Sequence, residues 1–211
     1  GGAVKYASSG IDDTVIVFNG DVLTDTDLQA VLDLHRRRDA KATIVLTPTE
    51  NPSAYGLVET AETGDVRRFL EKPSVNEITC DTINAGIYIL ETQMFDLIPT
   101  ATNWSIERKY FPSLVARGDT FVAYVHRGYW IDIGTPEKYM QAHRDIMTGA
   151  CHASPFVHAT TGQPHFAVAA GDAPEAQLEG PCYIAPHARG DAGSRITPHS
   201  VIGTSASGGT G

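Results

Sequence analysis

Thr14-Val15-Ile16-Val17-Phe18-Asn19-Gly20-Asp21 is the stretch on which the fold turns. The apolar run reads as a strand, Asn19-Gly20 as the turn that ends it, and Asp21 as a carboxylate just beyond. Ligands of α/β sheets collect at the carboxyl ends of strands, so Asp21 stands where a divalent cation can meet phosphate oxygens. Trp130-Ile131-Asp132-Ile133-Gly134-Thr135-Pro136 repeats the arrangement with Asp132. Ile131 and Ile133 face the other side of the strand from Asp132. A carboxylate buried in that way needs a partner, and a cation is the reading adopted.

Between these points, from Ile11 to Gly149, short strands alternate with longer helical patterns, the rhythm of a βα-layered sheet. Thr24, with Asp27 three residues on, is expected to cap a helix whose Leu28, Val31, Leu32 and Leu34 fall largely on one face. A strand over 42–46 ends at Pro48, and residues 55–60 and 65–70 flank Glu62-Thr63-Gly64 as a hairpin. The strand over 83–90 carries Gly86, where a side chain would block the close approach of a ligand or neighbouring backbone. A short helix near 95–97, a longer one over 105–116 closed by Arg117-Gly118, and a strand over 121–125 follow. Thr135 as cap, Pro136 at the first helical position and Gly149 at the end define one more helix.

Residues 150–180 are punctuated by Pro155, Gly162, Pro164, Gly171 and Pro174 and read as a linker. Beyond it Ile184, Ile196 and Ile202 fall on a six-residue grid, with Cys182, Ala188, Ser194 and Ser200 two places before each grid point. Such a period, with a small residue and a branched aliphatic, is expected of a parallel β-helix built from hexapeptides. The domain reading is therefore 1–149, 150–180 and 181–211. Little more than one coil fits the last segment, so the β-helix is expected to be incomplete.

A hydrophobic content of 42% in 211 residues is that of an ordinary globular protein. The net charge of −9 argues against nucleic-acid and anionic-membrane partners, which need clustered Lys and Arg. The basic run His35-Arg36-Arg37-Arg38 closes a helical stretch, where cations complement the helix terminus. Cys80, Cys151 and Cys182 lack CxxC spacing and indicate neither a disulfide framework nor a zinc site. Reduced thiols and a cytoplasmic location are the expectation. The 8 histidines form no ligand-spaced cluster. No apolar stretch reaches the roughly 18 residues of a membrane span.

Taken in order, Gly1-Gly2-Ala3-Val4, Asn19-Gly20-Asp21, Tyr55-Gly56, Glu71-Lys72-Pro73, Asn84-Ala85-Gly86 and Trp130-Ile131-Asp132-Ile133-Gly134 resemble the sugar-1-phosphate nucleotidyltransferases. The likeness is greatest to the mannose-1-phosphate guanylyltransferase-like members with a hexapeptide tail. It implies an α/β fold: a Rossmann-like nucleotidyltransferase sheet followed by the start of a left-handed parallel β-helix. It also implies transfer of a nucleotidyl group from an NTP, GTP first, to a sugar 1-phosphate, giving an NDP-sugar, GDP-mannose first, and pyrophosphate. The substrate brings its own nucleophile, so the protein has to supply in-line positioning and charge neutralisation by Mg²⁺ and cationic side chains.

By the same resemblance Asp21 and Asp132 hold the metal, and together with Lys72 they form the catalytic set. Lys72 meets the sugar phosphate as a point charge, and Glu71 accepts hydrogen bonds from sugar hydroxyls. Tyr55, Gly56, Asn84 and Gly86 contact the sugar, and Gly2 lies against the nucleobase. Glu107, in Ser105-Ile106-Glu107-Arg108, matches a segment typical of the guanylyltransferase-like members, but is left outside the site as a helical residue that pairs with a nearby Lys or Arg.

In the family a Gly-rich triphosphate loop and a first strand precede the position of Gly1. The chain as given is therefore expected to be inactive alone, and a homo-oligomer is expected at full length. Two readings from other classes stand beside this one. A regulatory paralogue would bind NDP-sugar without turnover and use its β-helix for assembly. An acyltransferase centred on the hexapeptide repeat would leave Asp21, Glu71-Lys72 and Asp132 without a role.

Overall fold

Residues 83–90 are buried without a break, which is the mark of a strand with neighbours on both edges and cover on both faces. The computed structural model describes residues 1–50, 55–71, 78–151, 167–168, 176–184, 188–203 and 205–208. Lys72 lies outside the described residues, and of Glu71 only the backbone is described. The chain runs α1 (Gly2–Ala7), β1 (Thr14–Phe18), β2 (Val22–Thr24), α2 (Leu28–Arg37), β3 (Ala42–Pro48), β4 (Gly56–Thr60), β5 (Val66–Glu71), β6 (Thr82–Glu91), α3 (Phe111–Arg117), β7 (Phe121–Val125), β8 (Trp130–Asp132) and α4 (Pro136–Thr148). It divides into two compact units, Gly1–Val22 with Thr26–Trp130, and Leu23–Asp25 with Ile131–Gly211.

The first unit is built on a 6-stranded sheet in the order β5-β4-β6-β3-β7, with β1 also beside β6. β6 is antiparallel to β1, β3 and β4, whereas β3 and β7 run parallel. The α/β expectation is met by this mixed sheet. One of its antiparallel pairs follows from a short connection: β4 and β5 are joined through a turn at Gly64 (φ +82), too short for a parallel crossover. Alternation along the strands then makes two cores. On one face Ile44, Leu46, Tyr88 and Leu90 meet Phe95, Ile98, Tyr110, Phe111 and Leu114. On the other, Val45, Ala85, Ile87 and Ile89 meet Val31 of α2, with Leu28 and Leu32 packed alongside.

Three local expectations are corrected. α2 is capped by Asp27, whose Oδ1 accepts from the Ala30 amide at 3.1 Å, and Thr24 lies in β2. A cap must directly precede the first helical residue, and Thr24 is three positions too early. The helix read over 105–116 opens with a wide turn over Ile106–Tyr110, in which the Tyr110 amide donates to the Ser105 carbonyl at 3.1 Å, five residues back. Pro112 has no amide to donate to Arg108 and its ring crowds that carbonyl, so the turn ahead of it opens out. The basic run closes α2 as read, with His35, Arg36 and Arg37 in its last turn, but complementing the helix end is not all it does. His35 is buried, with Nδ1 2.8 Å from Thr43 Oγ1 and Nε2 3.1 Å from Glu91 Oε1, while Arg38 donates to Asp65 at 2.6 Å and to the Thr63 carbonyl at 2.7 Å.

In the second unit α4 forms as read: Thr135 Oγ1 accepts from the Lys138 amide at 3.3 Å and Gly149 ends the helix at φ 80. Beyond it come β9 (Ala167–Val168), β10 (Gln177–Leu178), β11 (Tyr183–Ile184), β12 (Arg189–Gly190), β13 (Arg195–Ile196), β14 (Val201–Ile202) and β15 (Ser207–Gly208). Gln177 pairs with Arg195, Tyr183 with Val201 and Arg189 with Ser207, all in parallel and all at a constant offset of 18 residues. Cys182, Ile184 and Ala188 form the buried centre, against which Leu178, Ile196 and Ile202 pack. The six-residue grid is thus the inward-facing set. Leu178 continues it back into the stretch read as a linker, where β9 also pairs with β11. All three cysteines are free, and burial pushes the thiols of Cys151 and Cys182 up, which favours the protonated form.

Candidate functional site

The β3–β6 ladder slips where the motif Asn84-Ala85-Gly86 lies. Ile44 pairs with Tyr88 but Leu46 with Asn84, so 85–87 bulge opposite Val45. Bulges of this kind re-aim backbone groups and are common beside binding sites. Gly86 takes the left-handed conformation at φ +76, its amide donates to Asn84 Oδ1 at 2.9 Å, and its carbonyl accepts from the Asn19 amide at 2.8 Å. A Cβ on Gly86 would stand 2.9 Å from Asn19 Nδ2 and 3.0 Å from Asn19 Cβ and Cγ. The neighbour whose approach glycine permits is therefore the Asn19 side chain. Two motifs far apart in sequence are locked together here, and Asp21 follows Asn19 on the exposed side of the strand end.

Asn84 is 9% exposed. Its Nδ2 donates to Tyr88 Oη at 2.8 Å and to Glu107 Oε1 at 3.0 Å. Glu107 sits in the wide turn ahead of α3, which turns its carboxylate toward β6. Glu107 thus bonds across to Asn84 and joins the constellation from which the sequence reading left it out. The signal that could have found it is Pro112, which disturbs the helix directly after Glu107.

Trp130 closes the other side of the bulge: its indole Nε1 donates to the Ala85 carbonyl at 2.9 Å, and the Tyr55 ring stands edge-on to it at 5.7 Å. Gly56 opens β4 opposite Glu71, and the next residue, Leu57, pairs with Ile83. Tyr55-Gly56, the backbone of Glu71, Asn84-Ala85-Gly86 and Asn19 therefore meet in one part of the first unit. Gly2 opens α1, which is tied down by Lys5 Nζ donating to the Ile98 carbonyl at 2.6 Å. A Cβ on Gly2 would meet nothing within 4 Å, whereas one on Gly1 would stand 2.6 Å from the Trp104 carbonyl. The fold itself demands glycine at position 1 and leaves position 2 open.

Asp132, in the second unit, is half-buried. Its Oδ1 accepts from the Gly134 amide at 2.8 Å and its Oδ2 from Lys138 Nζ at 3.3 Å. An ammonium in the first turn of α4 stands beside this carboxylate. Among the described residues no 3 or more His, Cys, Asp or Glu gather as a metal cage. Mg²⁺ does not ask for one: it keeps several waters and binds through one or two carboxylates plus substrate phosphates. Asp21 and Asp132 each offer a hard carboxylate of the kind Mg²⁺ takes. No helix among the described residues is long and apolar enough to cross a membrane.

Residues 2–149 match the nucleotidyl transferase family. The mannose-1-phosphate guanylyltransferase of Mycobacterium tuberculosis is 37% identical over 197 residues, which are 93% of this chain and 54% of that protein. The UTP–glucose-1-phosphate uridylyltransferase of Synechocystis is 36% identical over 198 residues, 92% of this chain and 51% of that one. The chain thus spans about half the length of the curated relatives it matches. Among solved structures, HddC of Yersinia pseudotuberculosis superposes with a TM-score of 0.56 at 28% identity, over 67% of this chain and 59% of that one. With its dispersed motifs meeting around one strand bulge and its sequence matched along most of its length, the chain belongs to the sugar-1-phosphate nucleotidyltransferase family.

Proposed function

We propose that the protein transfers a nucleotidyl group from a nucleoside triphosphate to a sugar 1-phosphate, with GTP and mannose 1-phosphate as substrates and GDP-mannose and pyrophosphate as products. The observation that carries the reading is the bulge at Gly86, where Asn19, Asn84 and Trp130 converge on the backbone of 85–86. A phosphate oxygen of the sugar phosphate attacks the α-phosphorus, a P–O bond forms to it, and the bond to pyrophosphate breaks. The chain's part is to hold the two substrates in line.

In this reading Tyr55, Gly56, Asn84 and the backbone at Gly86 hold the sugar. Glu71 accepts from its hydroxyls, Lys72 meets its phosphate, and Gly2 leaves room for the nucleobase. Asp21 and Asp132 are the carboxylates that would hold Mg²⁺, which when bound neutralises charge on the phosphates. Lys138 holds the Asp132 carboxylate in place. The parallel pairs of the second unit are read as the opening of a left-handed parallel β-helix, supported by their constant offset, and as a subunit contact in a cytoplasmic homo-oligomer.

The uridylyltransferase relative makes UTP with glucose 1-phosphate the substrate pair to test against. The experiment is pyrophosphate release by the whole protein with each pair, with Mg²⁺ and with EDTA. Release with GTP and mannose 1-phosphate, lost with EDTA and in Asp21→Asn and Asp132→Asn, is expected. Faster release with UTP and glucose 1-phosphate reassigns the base and sugar. Tight NDP-sugar binding without release from any pair replaces the enzyme by the regulatory paralogue.

A further inference from the structure

We infer that Glu107 is a positioning residue for the sugar subsite: it decides which way the Asn84 carboxamide faces and, through it, holds the 85–87 bulge in place. The effect on substrate rests on the nucleotidyl-transfer reading; the geometry does not.

A carboxamide has nearly the same shape in its two orientations, so its partners alone decide which end is oxygen. Here one end lies 2.9 Å from the Gly86 amide, a donor, and so must be the oxygen. The other end lies 2.8 Å from Tyr88 Oη and 3.0 Å from Glu107 Oε1. A phenol can donate or accept and therefore discriminates between neither orientation. An ionised carboxylate can only accept, so of these two partners Glu107 is the one that forbids the flip. A flipped Asn84 would set its oxygen against the carboxylate and its NH₂ against the Gly86 amide, two repulsions at once. With the correct face held, the Gly86 amide is occupied and its carbonyl is left to bind the Asn19 amide, two residues before Asp21.

A merely structural helix residue would have no call for this reach. Glu107 bonds to a residue 23 positions away, from a turn widened to five-residue spacing, and it does so with a charge-assisted bond to a group only 9% exposed. The same atoms would be satisfied more cheaply by an exposed Glu pairing along its own helix.

The test uses the whole protein with Glu107→Ala and Glu107→Gln, steady-state kinetics for both substrates, and amide hydrogen exchange at Gly86. For Glu107→Ala, KM for the sugar 1-phosphate rises about tenfold while kcat and KM for the nucleotide stay within about threefold, the scale of one lost bond to a charged group. Gly86 exchange accelerates in the same variant. Glu107→Gln, which can still accept from Asn84 but can also donate and so no longer forbids the flip, raises the sugar KM and Gly86 exchange by less than Glu107→Ala does. A Glu107→Ala variant with a lower Tm but unchanged sugar KM and unchanged Gly86 exchange overturns the inference, as does a loss confined to kcat. If the parent protein transfers no nucleotide, the functional reading fails by itself, and Gly86 exchange alone then decides: acceleration upholds the positioning role and its absence removes it. Should Glu107→Ala not fold, Asn84→Asp takes its place. A second carboxylate facing Glu107 must raise Gly86 exchange, and unchanged exchange counts against the proposal.

Discussion

The junction around Gly86 and the corner around Asp132 each carry one of the motifs and are built in opposite ways. At Gly86 the bonds that tie the junction to the rest of the fold are long-range: Asn19 reaches β6 from the end of β1, Glu107 from the turn before α3, and Trp130 from β8. At Asp132 the side-chain bonds are local, to an amide two residues on and an ammonium six residues on. The first arrangement is only as rigid as the sheet and core beneath it, whereas the second is carried by the end of β8, which pairs with β2, and by the helix that Thr135 caps. Core damage should therefore spread to the Gly86 junction, and damage to the α4 cap should stay near Asp132.

Phe111→Ala is the largest test. Phe111 is fully buried, with the rings of Tyr88, Phe121, Phe69 and Tyr110 at 5.0, 5.1, 5.5 and 5.7 Å. Its removal should cost about 3–5 kcal/mol and appear as a lower denaturant midpoint. Because Tyr88 both stacks on Phe111 and accepts from Asn84, exchange at the Gly86 amide should rise in this variant while exchange at the Gly134 amide does not.

Gly86→Ala strikes the junction directly. A left-handed conformation costs a side chain about 1–2 kcal/mol. The contact with Asn19 adds to that, so roughly 2–3 kcal/mol of stability should be lost along with most of the turnover. Equal stability and activity in Gly86→Ala would break the claim that the bulge admits only glycine.

On the other side of the comparison, Thr135→Ala should cost about 1 kcal/mol, the usual cap value, with exchange rising in the first turn of α4 only. Lys138→Ala should cost less than about 1 kcal/mol, since that pair is a third exposed and screened by solvent. A large loss from either would show that the Asp132 corner is not local after all.

The smallest effect belongs to acid. Burial works to raise the Glu91 carboxyl, but hydrogen bonds from Thr14 and His35 outweigh it and hold the group below its usual range. In the fold it thus binds its proton less readily than in the unfolded chain, and stability rises with pH across the interval between the two values. The contribution is present at neutral pH and is lost as pH falls through the lowered value. Glu91→Gln should lower stability at pH 7 and flatten the decline below about pH 4.5, checked by urea midpoints across that range.

Strands β1, β3, β7 and most of β6 were legible because each is a local apolar run bounded by turn residues. α4 was legible because its cap, its proline and its closing glycine sit within one stretch. The six-residue grid was legible for the same reason: Ile184, Ile196 and Ile202 recur at a fixed period and turn out to face one core, to which only the structure adds Leu178. Asp27 as the true cap of α2 and His35 as a buried polar residue were misread. Both depend on where a neighbouring strand lies: β2 claims Thr24, and Glu91 and Thr43 offer His35 its two partners.

By itself the sequence determined which residues form strands and helices, where the apolar faces lie, and which short motifs could serve one kind of chemistry, because those follow from periodicity and neighbour effects along the chain. Only the tertiary structure decided that β6 slips its register at 85–87, that Gly86 must yield to Asn19, and that Glu107 faces Asn84. Register and carboxamide orientation are settled by partners distant in sequence, whose energies enter only when the sheet has closed around them.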